Sequence, residues 1–134
     1  MITADLHLAG RRILVVEDEF LLADDLHTEL EDVGAIVLGP AGTIAEAFKI
    51  IENEQQIDGA VLDVNLGGDP VFPAAETLIR RQVPFLFTTG YDPSSIPERF
   101  RHVVRFEKPI ILRHVVGAVA RLVNGEGVGA NSAQ

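Results

Sequence analysis

Five short apolar runs, each stopped by polar or turn-forming residues, constrain this chain more than any other feature. Ile13-Leu14-Val15-Val16 stops at Glu17-Asp18-Glu19, Ile36-Val37-Leu38 at Gly39-Pro40, and Ala60-Val61-Leu62 at Asp63. Pro84-Phe85-Leu86-Phe87 breaks at Thr88-Thr89-Gly90, and Val103 to Phe106 gives way to Glu107-Lys108-Pro109. Continuous apolar runs belong to strands covered on both faces, as in parallel sheets. Helical patterns fill the gaps between them. Leu22, Leu26, Leu30 and Val33 recur at intervals of three and four, and Gly34 stands where a left-handed cap ends a helix. Thr43-Ile44-Ala45-Glu46 is a capping box, and Ala47, Phe48, Ile50 and Ile51 give the helix it opens an apolar face. Leu66 to Pro70 reads as a loop, and Phe72 to Arg81 as a third helix buried through Ala75, Leu78 and Ile79. Two prolines and two serines between Asp92 and Arg101 allow only a short helix there, while Pro109 suits the first position of a last helix running to about Asn124. Strand and helix alternate with short connections, which predicts an α/β domain: a doubly wound five-stranded parallel sheet with helices on both faces.

In such sheets ligands sit outside the carboxyl ends of the strands, where strand order reverses. Glu17-Asp18, Asp63, Thr89 and Lys108 all lie at those ends and are expected to converge on one edge. A lone aspartate after a strand is ordinarily a turn former, and a lysine before proline ordinarily a solvated charge. It is their joint placement at the ends of the first, third, fourth and fifth strands that points to chemistry. Carboxylates brought together repel unless a cation lies between them, and oxygen donors on loops suit a hard divalent ion such as Mg²⁺. Asp18 and Asp63 are the expected direct ligands, with Glu17 holding a metal-bound water and the backbone carbonyl of Asn65 within reach. A carboxylate beside Mg²⁺ can attack phosphorus to give an acyl phosphate, whose oxygens the Thr89 hydroxyl and the Lys108 ammonium would bind.

Composition closes off other classes. The 134 residues suit one domain, expected over 11–124 with flexible termini at 1–10 and 125–134. There is no cysteine, which removes disulfides, thiol catalysis and cysteine-ligated metals. A formal charge of -9 opposes binding to nucleic acid, and no apolar run is long enough to span a membrane. A cytoplasmic protein is expected. His7, His27, His102 and His114 lie on separate elements without ligand spacing and read as ordinary residues.

Glu17-Asp18, Asp63, Thr89-Gly90 and Lys108-Pro109, at these spacings, strongly resemble the receiver domain of two-component response regulators over about residues 11 to 124. The resemblance implies a flavodoxin-like fold with strand order 2-1-3-4-5, and phosphoryl transfer from the histidine of a sensor kinase to Asp63 with Mg²⁺ bound by the acidic pair and Asp63. By the same match Thr89 and Lys108 bind the phosphoryl oxygens and carry the signal outward. No turnover enzyme is implied, only phosphorylation and dephosphorylation of the aspartate itself. With no output domain recognisable, the expectation is a stand-alone regulator that binds a downstream partner or serves as a phosphate sink.

Phe87-Thr88-Thr89-Gly90-Tyr91 partly resembles the Phe-Ala-Thr-Gly-x-Tyr signature of stand-alone alphaproteobacterial receivers, with Thr88 in place of Ala and Tyr91 one position early. Gly67-Gly68 replaces the proline that many receivers carry four residues after the aspartate. Arg105 occupies the place where receivers commonly carry Tyr or Phe, and a guanidinium cannot turn inward cheaply as that ring does. Arg105 is therefore expected to pair with a carboxylate or to face the partner, and Tyr91 to shield the acyl phosphate from water. In the last helix Ile110, Ile111, Leu112, Val115, Val116, Val119, Leu122 and Val123 form a stripe broad enough for a homodimer or docking surface, or simply for extra core contact.

Three other readings stay open. An aspartate-based phosphate hydrolase usually shows a second Asp two residues after the nucleophile, where this chain has Asn65, and there is no room for a substrate cap. A receiver-shaped module that never carries phosphate, and a receiver cut from a longer regulator, fit the same residues.

Overall fold

The computed structural model describes residues 7–90 and 96–125. Strands β1 (Arg12–Val16), β2 (Ile36–Ala41), β3 (Gly59–Asp63), β4 (Phe85–Thr89) and β5 (Arg105–Glu107) form one parallel sheet in the order 2-1-3-4-5. Helices α1 (Phe20–Asp32), α2 (Ile44–Asn53), α3 (Phe72–Arg80) and α4 (Leu112–Val123) cover it, and a 3-10 turn spans Glu98–Phe100. This is the flavodoxin-like arrangement.

Alternation along the strands sends successive side chains to opposite faces. Ile13, Val15, Val61, Leu86 and Val104 pack with α1 and α4, while Leu14, Val16, Ala60, Leu62, Phe85 and Phe87 pack with α2 and α3. The second face carries an aromatic cluster in which Phe72 stacks on Phe100 at 5.3 Å and meets Phe87 edge-on at 5.8 Å. It fixes α3 and the Glu98–Phe100 turn beneath the end of β4. Gly34 ends α1 at φ +95° as the cap expectation requires. The capping box forms with a displaced return bond: Thr43 Oγ1 accepts from Glu46 N at 3.1 Å, and Glu46 Oε1 accepts from Gly42 N at 2.8 Å.

Several expectations need correction. The Gly39-Pro40 breaker does not end β2, which continues to Ala41. β2 is an edge strand, where a missing N–H is tolerated, and a register shift between Leu14 and Val16 lets Ala41 pair with Val16. The 66–70 stretch is not a plain loop: Asn65–Leu66 and Asp69–Pro70 form an antiparallel ribbon around Gly67-Gly68, both at positive φ. Gly-Gly between two short runs is a tight-hairpin turn. β4 runs on through Thr88 and Thr89 because both are buried and paired, and β5 begins two residues later than expected, at Arg105.

Ala75 and Leu78 are buried on α3 as expected, but Ile79 is 47% exposed, and Phe72 and Ala74 complete the buried face. Pro109 is not the first residue of the last helix. Lys108 N still donates to Thr89 O at 2.8 Å, so the chain stays in strand pairing there and α4 opens only after Ile111. The broad stripe on α4 is mostly core: Val115, Val116 and Val119 are buried, and Ile110, Leu112, Leu122 and Val123 pack partly against the same cluster. The breadth arises because α4 meets both the sheet and α1. Ile111, just before α4, is the most exposed residue of the stripe at 49%.

Candidate functional site

The sheet reverses direction of growth between β1 and β3, and the carboxyl ends of those strands deliver Glu17 and Asp63 to the same edge. Backbone pairing carries on just past each end: Glu17 N donates to Ala41 O at 2.8 Å and Val64 N to Thr88 O at 2.9 Å. The two side chains are thereby held by the sheet rather than by loops. Glu17 and Asp63 are buried, while Asp18 is exposed at the rim. One oxygen from each of the three lies within 4.8 Å of the others.

Lys108, just beyond β5, reaches back across the edge. Its Nζ donates to Asp63 Oδ2 at 3.2 Å and to Glu17 Oε2 at 3.1 Å, and lies 3.6 Å from Glu19 Oε1. Asp63 Oδ1 accepts from Asn65 N at 3.3 Å. Burial, then the negative charge of Glu17, push the Asp63 carboxyl up to about 7, with Lys108 offsetting part of the rise. For Lys108, burial acts to lower the pKa, but the charges of Asp63 and Glu17 outweigh it and the ammonium is held above its ordinary value.

Asp18, Asp63, Lys108 and Thr89 line an open cleft of about 480 Å³, together with Glu19, Val64, Asn65, Gly67, Gly68 and Gly90. The ribbon turn closes one side. A Cβ on Gly67 would stand 3.7 Å from Asp18 Oδ2, and its φ of +57° excludes the proline that many receivers place there. Glu17, Asp18, Asp63, Asn65, Thr89 and Lys108 thus come together as expected. Glu19 was missed, although the triplet Glu17-Asp18-Glu19 was its signal.

Two other expected residues fall differently. Tyr91 lies outside the described residues. Arg105 is half-buried and its Nη1 donates to the Arg101 carbonyl at 3.5 Å. No carboxylate partner of Arg105 occurs among the described residues; the strand's own preceding turn supplies the acceptor instead.

The donor set fits a hard divalent cation. Three carboxylates present oxygens to one point, and Glu17 Oε1 is buried without a hydrogen-bond partner among the described residues. Such an orphan acceptor is costly unless a cation or a cation-bound water satisfies it. No helix among the described residues is long and apolar enough to cross a membrane.

A doubly wound parallel sheet carrying a buried aspartate and a buried glutamate, both bonded to one lysine, at its switch point defines an α/β domain with an acidic site at the carboxyl edge of its sheet. Comparison with known proteins narrows the class. No family model matches the chain. The solution structure of SdrG from Sphingomonas melonis Fr1 is 37% identical, aligning over 88% of this chain and 98% of SdrG with a TM-score of 0.73. The non-phosphorylated HemR receiver domain from Leptospira biflexa is 30% identical over 85% of this chain and 94% of its own, with a TM-score of 0.71. Phyllosphere-induced regulator PhyR of Methylorubrum extorquens is 37% identical over 90 residues, 66% of this chain. The chain spans about a third of PhyR, since that match covers 32% of its length. The chain belongs to the receiver domains of response regulators.

Proposed function

We propose that Asp63 accepts a phosphoryl group from a phosphohistidine of a sensor kinase, and that residues 11–124 act as a cytoplasmic receiver whose phosphorylated form binds a downstream protein or drains phosphate from another regulator. The observation that carries this reading is the placement of a buried carboxylate, Asp63, at 3.2 Å from Lys108 and at the wall of a cleft shared with Thr89. In the transfer the P–N bond of the phosphohistidine breaks as an Asp63 oxygen bonds to phosphorus, and the imidazole leaves with the electron pair and is protonated. In hydrolysis water attacks phosphorus, the O–P bond breaks toward the carboxylate, and inorganic phosphate leaves.

Asp18 and Asp63 would hold Mg²⁺ directly, with Glu17 acting through a bound water and Asn65 through its backbone carbonyl. The ion supplies charge neutralisation at the developing phosphoryl oxygens. The protein's own residues do the rest. Lys108 turns from Asp63 to a phosphoryl oxygen, Thr89 donates its hydroxyl to another, and the sheet holds Asp63 in line. Tyr91 shields the product from water, and Arg105 faces the partner as the switch residue. Apart from this self-modification the chain turns over no substrate.

SdrG is known in a BeF3-activated conformation, which makes beryllofluoride the probe for this reading. With Mg²⁺ it should raise the melting temperature of the native chain and leave Asp63→Asn unchanged. A native chain that responds no more than Asp63→Asn would favour the phosphate-independent module.

A further inference from the structure

Thr88 stands where related signatures carry alanine, and the mechanism above leaves it unused. It is fully buried, and its Oγ1 has no hydrogen-bond partner among the described residues. Its position is set by register: Thr88 pairs with Asp63 on β3 and with Phe106 on β5. Phe85 and Phe87 face α2 and α3 while Leu86 faces α1 and α4, so alternation turns Thr88 toward the α1 and α4 side. On β3, Ala60 and Leu62 face one way and Val61 the other, which turns Asp63 to that same side. Neighbouring strands lie about 4.8 Å apart, so Thr88 and Asp63 are cross-strand neighbours on one face, with no hydrogen bond between their side chains in this state.

A valine would fill this place without burying an orphan hydroxyl, so the present state carries the cost of an unmade bond. The Asp63 carboxyl group loses a donor when Lys108 leaves. Here Lys108 Nζ donates to Asp63 Oδ2, and a lysine that moves onto a phosphoryl oxygen takes that donor away. We propose that the Thr88 hydroxyl is a positioning donor to the Asp63 carboxyl group, unsatisfied in the resting domain and engaged when Asp63 carries a phosphoryl group. The inference rests on the receiver reading and deepens it: Thr88 biases the domain toward its phosphorylated state by relieving a cost that the resting state bears.

The test compares native, Thr88→Val and Thr88→Ser chains in two measurements, melting temperature without metal and the apparent Kd for beryllofluoride in saturating Mg²⁺. Thr88→Val should melt about 3 °C or more above the native chain without metal, because the orphan hydroxyl is gone. It should also bind beryllofluoride about fivefold or more weakly, while Thr88→Ser keeps native affinity. Native-like affinity in Thr88→Val, an equal loss in Thr88→Ser, or a lower metal-free melting temperature in Thr88→Val would each overturn the assignment. A native chain that binds beryllofluoride no better than Asp63→Asn would overturn the receiver reading together with it.

Discussion

Removing the charge of Asp63 should stabilise the metal-free domain at alkaline pH. The carboxyl is raised from 3.8 to about 7 by burial and by Glu17. A carboxyl with a raised pKa holds its proton more tightly in the folded state than in the unfolded chain. Its contribution to stability is therefore full below pH 4 and is lost as the pH rises through about 7. At about 1.4 kcal/mol per pH unit, the gap corresponds to a ceiling of about 4 kcal/mol. The cleft is open, so water screens the charge, and about half of that ceiling is the expected size. For a domain of this length, 2 kcal/mol moves the melting temperature by about 6 to 8 °C. Thermal unfolding of native and Asp63→Asn chains in chelator should show that gain at pH 8 and little of it at pH 4.5. A substitution that is neutral or destabilising at pH 8 would refute the idea that Asp63 is held ionised at a cost.

Other consequences follow from the same contacts. Mg²⁺ should stabilise the native chain more at pH 8 than at pH 6, because the ion binds the ionised carboxyl; equal melting shifts at the two values would contradict this. Lys108→Ala leaves Glu17 and Asp63 facing each other without a cation, and should lower metal-free stability at pH 8 by about 2 kcal/mol in urea titration, with a smaller loss once Mg²⁺ is added. Gly67→Ala forces a side chain into positive φ beside Asp18, and should cost about 1 kcal/mol and weaken Mg²⁺ binding measured by titration. Thr43→Ala removes the cap on α2 and should cost about 1 kcal/mol of unfolding free energy without changing Mg²⁺ affinity.

The parallel sheet was legible because each buried strand is an uninterrupted apolar run, and Glu17, Asp63, Thr89 and Lys108 were legible because each stands where such a run stops. What was not legible depends on partners distant in sequence. Gly39-Pro40 reads as a breaker until β2 is known to be an edge strand with a register shift. Pro109 reads as a helix start until the Lys108 N to Thr89 O bond keeps the chain in the sheet. Ile79 matches a helical period, yet the aromatic packing of Phe72 on Phe100 sets which face of α3 turns inward. Arg105 found a backbone acceptor in the Arg101 carbonyl, an option that side-chain pairing rules do not raise. Thr88 looked like a minor departure from a signature, and only the register beside Asp63 gives it meaning.

Intact mass measurement decides whether Asp63 is the phosphoryl acceptor. The native chain is incubated with Mg²⁺ and acetyl phosphate, and in parallel with phosphorylated candidate kinases, beside Asp63→Asn and a chelator control. A labile gain of one phosphoryl group is expected on the native chain alone, lost when the metal is removed. No gain from any donor, or an equal gain on Asp63→Asn, would contradict it.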